Sequence, residues 1–336
     1  MPRPLGHIRI LLSSRVIFDL EEADKIFAEK GEAEYADYMC GRGAYAADFD
    51  AQTMGRKLKP GPLWNFMTAA LKLNDVAPGT VEIGMVCKDT TETALPIFRN
   101  LDLMNAPVGY RIATAGGALK PVDLTGFDTD LFLSRNAKDT QMAIDNDIAA
   151  ATINFPSGVS YTRAPGMPVR IWLDGDAVTF GSSAEVIYQE KGLDHYYKSE
   201  FNSAANAIEA GPFTKFLAKI SQFNAKFPRD QQPFEIALLT ARGGDPSVRA
   251  LTTIKQLGIV FNGGLYFLGG GDKGVVLKAH MPDLFVDDQQ VHLKDAQAFC
   301  PTGHVAYKTD GPMHKFLQEK AAADAAQKPK DGPKLG

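Results

Sequence analysis

Cysteine is scarce in this chain of 336 residues: Cys40, Cys87 and Cys300 are an odd number with no C-x-x-C spacing. That excludes a disulfide framework and a zinc knuckle. A basic excess is missing too. The 36 lysines and arginines stand against 40 acidic residues for a net charge of −4, which is no footprint of a nucleic-acid binder. Long apolar runs are absent, since IRILL (8–12) and EIALLT (235–240) are strand-length and far below the ~20 residues that span a bilayer. The opening MPRPLGHIR lacks a secretory apolar region. None of the six histidines sits in an H-E-x-x-H spacing, and GGGDKG (269–274) has neither the dinucleotide-loop nor the P-loop spacing. The expectation is a soluble, reduced, cytoplasmic protein that binds neither nucleic acid nor membrane, with length enough for about two domains.

What is present centres on WLDGDAVTF (172–180). Residues 169–173 (VRIWL) form the apolar, β-branched run of a buried parallel strand, and it ends in two acids one residue apart, Asp174 and Asp176. In open α/β sheets the ligand crevice lies outside the carboxyl ends of the strands. Two acids there suit a nucleophile and its proton-handling partner. On this stretch alone an acidic hairpin turn reads the same way; the rest of the chain separates the two.

The chain repeats itself. Residues 8–35 match residues 169–196 without a gap: Ile8 falls on Val169, Leu12 on Leu173, Ala23 on Ala184, Ile26 on Ile187, Gly31 on Gly192 and Tyr35 on Tyr196. Gly61-Pro62 then stands against Gly211-Pro212, each read as opening a helix with proline at its start. VEIGMVC (81–87) pairs with FEIALLT (234–240), Gly116-Gly117 with Gly269-Gly270, Lys120 with Lys273, and Asp130-Leu131-Phe132 with Asp283-Leu284-Phe285. Four ordered blocks at nearly constant offset mark a duplication. Each copy is then a Rossmann-like β-α alternating unit with mostly parallel strands.

One copy serves as a control for the other. Asp174, Asp176, Thr240, Asp287 and Asp288 stand opposite Ser13, Arg15, Cys87, Ser134 and Arg135, all at strand ends, while Lys273 keeps Lys120 as its counterpart. The second-half set has the parts that phosphoryl transfer through an aspartyl phosphate needs: Asp174 to attack phosphorus, Asp176 to move protons, Thr240 and Lys273 to hold phosphoryl oxygens. Four crowded carboxylates, Asp174, Asp176, Asp287 and Asp288, repel one another and an incoming phosphate, so Mg²⁺ is the expected cofactor.

This pattern resembles the haloacid dehalogenase superfamily of phosphohydrolases, with its D-x-D strand end, Thr240, Lys273 and Asp287-Asp288. Within that superfamily, SSRVIFDLEE, LKPG, AIDNDIAAATI, DGDAVTF, LLTARG and FVDDQ are similar to stretches of the cytosolic type I 5′-nucleotidases, over nearly all of residues 8–307. The resemblance implies Mg²⁺-dependent hydrolysis of nucleoside 5′-monophosphates, AMP prominent among them. The alternatives are a phosphatase of sugar phosphates or other small phosphomonoesters, and a non-catalytic nucleotide-binding protein. One stretch departs: residues 86–91 carry Lys88 and Asp89 where the family is asparagine-rich, which bears on nucleotide preference and effector response.

The expected layout is a degenerate unit over 1–160, a catalytic unit over 161–316 with a small helical cap at about 181–233, and a disordered tail over 317–336. The degenerate edge is neutral to basic. Ser13, Arg15, Lys120 and Arg135, with Arg242 from the catalytic half, are the candidates for binding a substrate phosphate or a nucleotide effector. Self-association into a homo-oligomer is compatible with the sequence.

Overall fold

The computed structural model describes residues 7–156, 161–163, 166 and 168–327. Their strands are β1 (Ile8–Ser13), β2 (Phe49–Asp50), β3 (Gly55–Arg56), β4 (Val81–Cys87), β5 (Tyr110–Ala113), β6 (Leu131–Ser134), β7 (Ala149–Asn154), β8 (Val169–Leu173), β9 (Phe234–Thr240), β10 (Gly264–Phe267), β11 (Leu284–Asp287) and β12 (Thr302–His304). The helices are α1 (Ser14–Ile17), α2 (Glu21–Lys30), α3 (Glu32–Cys40), α4 (Trp64–Val76), α5 (Thr91–Leu103), α6 (Pro121–Phe127), α7 (Ala137–Asp145), α8 (Ser183–Lys191), α9 (Leu193–Asn202), α10 (Thr214–Asn224), α11 (Asp245–Leu257), α12 (Lys273–His280), α13 (Gln290–Ala296) and α14 (Pro312–Gln327). None of these helices is long and apolar enough to cross a membrane.

β2 and β3 pair with each other, and the other ten strands share one sheet ordered β10-β9-β8-β11-β12-β7-β6-β1-β4-β5. Each half contributes five strands in the same internal order, all parallel because helices carry the chain back between them. β1 and β8 lie at the centre of their halves and are buried almost throughout, as continuous apolar runs should be. The expected mostly parallel α/β duplication is what the chain forms.

The halves meet where β7 pairs antiparallel with β12, Thr302 opposite Asn154 and His304 opposite Thr152. The seam is narrow and lined by small residues: a Cβ on Gly303 would lie 2.8 Å from the Ala151 Cβ. Each unit covers the other's exposed edge; the larger apolar core cluster takes in residues of both halves, from Ile8 to Val305, and a smaller one lies around Trp172 and Phe285 in the second half. Asp130 and Asp283 show why that block is shared between the copies. Each carboxylate takes a strand N–H, from Arg9 and Arg170 respectively, at 2.8 Å, and each is paired with a cation, Lys219 at 2.5 Å and Arg163 at 2.9 Å.

The antiparallel seam has a further effect. The carboxyl ends of β1, β4 and β6 point to one edge of the sheet, and those of β8, β9 and β11 to the opposite edge.

Four local features matter. The acidic segment after β1 forms two helices, because Gly31 adopts φ 86° between α2 and α3; Gly192 does the same at φ 78° between α8 and α9. Pro62 and Pro212 lie in turns before α4 and α10, not inside them, and the preceding glycines are there because a Cβ would meet the Phe18 carbonyl carbon at 2.6 Å or the Phe180 oxygen at 2.3 Å. The tail read as disordered from 317 is helical to Gln327, since its alanines favour helix without any apolar period; residues 328–336 lie outside the described residues. Of the insertion at 181–233, α10 packs on β9 and β7 as an ordinary crossover helix, so the cap reduces to the α8–α9 hairpin, which touches α14 and α11.

Candidate active site

Asp174 follows the last residue of β8. Its N–H donates to the Val286 carbonyl at 2.9 Å and its carbonyl accepts from the Thr179 hydroxyl at 2.7 Å, so the start of the loop is held from both sides. Between them Ala177 sits at φ 60°, a strained conformation for a residue with a Cβ and one that clusters at functional sites. Thr240, buried at the end of β9, presses its hydroxyl toward this loop: a Cβ on Gly175 would come within 2.9 Å of it.

Asp174, Asp287 and Asp288 bring one carboxylate oxygen each within 4.8 Å of one another, all buried. Lys273, at the start of α12, donates to Asp174 Oδ1 at 2.6 Å and to Asp287 Oδ2 at 2.7 Å. Asp287 also accepts the Gln289 N–H at 2.8 Å and faces His292 Nδ1 at 3.2 Å. Asp288 accepts from the Tyr307 hydroxyl at 2.7 Å, while its Oδ1 is buried without a partner.

Charge crowding shows in the acidities. Burial pushes Asp174 up to about 7 against the pull of Lys273, with Asp287 adding to the rise. Asp288 is raised well above the usual carboxylate range by burial and then by its two acidic neighbours. Asp287 goes the other way: burial raises it, but the hydrogen bond from His292 and the charge of Lys273 together hold it below the ordinary value.

Asp176 does not join this trio. Its oxygens accept from Arg242 Nη2 and Nε at 2.7 and 2.8 Å, a bidentate pair. It was expected among the metal ligands; its carboxylate lies outside the group formed by Asp174, Asp287 and Asp288 and faces Arg242. Arg242 itself, expected to bind substrate or effector, is buried beneath Glu200 of α9.

Ser13, Arg15, Lys120 and Arg135 stand at the other edge of the sheet, so they do not reach a phosphate on Asp174. Arg15 pairs with Asp24, the Arg135 guanidinium lies 4.6 Å over the Phe155 ring, Ser13 is buried and Lys120 is exposed at the start of α6. Lys88 and Asp89, the departure noted in the sequence, pair with Asp139 at 2.9 Å and with the Tyr35 hydroxyl at 2.6 Å. Residues that sequence reasoning missed are Glu200, Arg249, His292 and Tyr307. For Glu200 a signal existed in the comparison between copies, where it stands opposite Met39.

Residues 1–312 match the 5′-nucleotidase family. The chain is 26% identical over 307 residues to human cytosolic 5′-nucleotidase 1B, covering 88% of this chain and 48% of that one, so it spans about half the length of that curated relative. Among solved structures, the HAD domain of the effector protein Lem4 from Legionella pneumophila superposes with a TM-score of 0.27 at 16% identity, over 48% of this chain and 98% of that chain. That overlap is too slight to bear on the fold, which rests on the sheet described above.

Proposed function

The chain belongs to the 5′-nucleotidase family, and from that premise we propose that it hydrolyses nucleoside 5′-monophosphates to nucleoside and phosphate. The observation that carries this reading is the cluster of Asp174, Asp287 and Asp288 bridged by Lys273 at the carboxyl ends of β8 and β11, in the one copy whose counterpart lacks every acid.

The residues fit a Mg²⁺ ion. The three donors are hard carboxylate oxygens with no sulfur among them, and the unpartnered Asp288 Oδ1 is a buried acceptor lacking a cation. Asp174, Asp287 and Asp288 would hold it, and when bound it neutralises charge on the acids and on the phosphoryl oxygens. Asp174 Oδ attacks phosphorus and forms the aspartyl phosphate. Asp176 gives a proton to the departing 5′-oxygen and later takes one from the attacking water. Lys273 and the Thr240 hydroxyl steady the phosphoryl oxygens as charge builds on them. Tyr307 and His292 orient Asp288 and Asp287 through the contacts above.

Phosphate release from AMP, IMP, CMP and UMP, beside a panel of sugar phosphates, with and without Mg²⁺, tests the reading. Turnover of the nucleotides only with Mg²⁺ is expected. Preference for sugar phosphates would replace the substrate class while keeping the chemistry, and no release from any ester would overturn both.

A further inference from the structure

A network of charges, with Arg242 and Glu200 buried at its centre and Arg249 half-buried, ties the cap to Asp176. Arg242 spends Nε and Nη2 on Asp176, and its Nη1 donates to Glu200 of α9 and to the Pro246 carbonyl, the latter at 3.1 Å. The second Glu200 oxygen accepts from Arg249 of α11 at 2.7 Å, and Arg249 is steadied by the Asn206 carbonyl at 3.0 Å. Glu200 is 0% exposed and Arg242 3%.

Such a network is not a cheap way to hold a hairpin, because desolvating ions can cost as much as their attraction returns. The first half shows that the fold does without it. There Glu200 is replaced by Met39, Arg249 by Pro96, Arg242 by Asp89 and Asp176 by Arg15. Met39 is as fully buried as Glu200, and a Cβ on Gly55 would touch the Met39 carbonyl at 2.6 Å and Pro96 at 2.8 Å, so the two apolar replacements are neighbours as the charged pair is. The surrounding scaffold is kept: Asn100 Oδ1 accepts the Leu58 N–H and Thr253 Oγ1 accepts the Ile208 N–H, each at 2.9 Å. At the Glu200 and Arg249 positions the charges occur only in the copy that has the acids, while the Asp176 and Arg242 positions carry the opposite charges, Arg15 and Asp89, in the other.

We propose that Glu200 is a positioning residue for the reaction: seated on α9, it anchors Arg242, which aims Asp176 at the leaving group. This rests on the phosphomonoesterase reading. In the first step the Asp174–phosphorus bond forms, the bond from phosphorus to the ester oxygen breaks, and the Asp176 proton passes to that oxygen; a protonated carboxyl keeps one acceptor oxygen for Arg242. In the second, the Asp176 carboxylate takes a proton from the water that attacks phosphorus, and the bond from phosphorus to Asp174 breaks.

The test compares kcat/KM for AMP and for p-nitrophenyl phosphate, because that parameter covers events up to leaving-group departure and nitrophenolate leaves without needing a proton. In the full chain, Glu200→Gln, and Glu200→Met with Arg249→Met to make the pair apolar as it is in the first half, should lower kcat/KM for AMP by about thirtyfold or more, and at least tenfold more than for the aryl ester. The double variant should keep its Tm near that of the parent, and Arg242→Lys should fail to preserve the ratio because an ammonium cannot bind a carboxylate bidentately. Equal losses on both esters, a loss confined to KM, or a fall in Tm without a change in the ratio would overturn the proposal. A parent protein that cleaves neither ester would instead overturn the function it rests on, and this inference with it.

Discussion

The two halves of the sheet are one scaffold used twice, and they differ where chemistry would be done. Both build five parallel strands around a buried central one, both break a helical hairpin at a glycine with positive φ, and both hold the start of that central strand with an aspartate. One half ends its strands in Asp174, Thr240, Asp287 and Asp288, the other in Ser13, Cys87, Ser134 and Arg135. The difference teaches which features hold the fold and which do not. Shared apolar and glycine positions are structural, and buried charge found in one copy alone is there for another reason.

The largest effect should come from erasing that difference at the nucleophile. Asp174→Asn is expected to lower turnover about a thousandfold or more with an unchanged circular dichroism spectrum, since an amide cannot form the acyl phosphate. Its counterpart change, Ser13→Ala, should leave the rate within about twofold, as it lies at the far edge. A variant at Asp174 that retained a tenth of the parent rate would remove the mechanism.

Next comes the metal. Excess EDTA should abolish phosphate release, Mg²⁺ should restore it, and Ca²⁺ should inhibit through its looser, higher coordination. Full activity in chelator would be incompatible with the acid cluster acting as a metal site.

Moving buried charge into the other half sharpens the comparison through stability. Met39→Glu would bury a carboxylate at the place of Glu200 but beside Pro96 where Glu200 has Arg249, and should cost about 3–5 kcal/mol in urea denaturation. A smaller loss, under about 1 kcal/mol, would mean that the first half can supply a partner after all.

A smaller effect follows from acidity. Asp174 is raised to about 7 by burial and its acidic neighbour, and burial raises Asp288 well above the carboxylate range. A carboxyl whose folded value lies above its unfolded value of about 4 stabilises the fold below that lower value and loses the contribution as pH rises through the folded value. The Tm of metal-free protein should therefore fall between about pH 5 and pH 8, and Mg²⁺ should raise it more at pH 8 than at pH 5. A flat metal-free profile would contradict the crowding of these acids.

The smallest effect is expected at the basic edge. Arg15→Ala and Arg135→Ala should change kcat/KM for AMP and for p-nitrophenyl phosphate by less than about threefold, because the antiparallel seam puts them across the sheet from Asp174 and Arg15 is already paired with Asp24. A tenfold loss confined to the nucleotide would mean that the far edge communicates with the site.

By itself the sequence determined the strands and the strand-end chemistry. Residues 81–87, 169–173 and 234–240 form strands over the whole of their apolar runs, because continuous hydrophobicity over five to seven residues is a local property that a central parallel strand satisfies on both faces. The duplication and the identity of Asp174, Asp287, Asp288 and Lys273 as neighbours followed from the same patterning at strand ends. The tertiary structure alone decided the rest. Whether the halves join through parallel or antiparallel edges depends on the pairing of two short strands, β7 and β12, nearly 150 residues apart, and that choice sent the basic edge away from the acids. It also decided that Asp176 faces Arg242 and that Glu200 is the buried residue of α9. Ion pairs between residues 42 to 66 positions apart leave no periodicity in the chain. They are set by how the helices seat on the sheet, where a charge finds its partner only after the fold has closed around both.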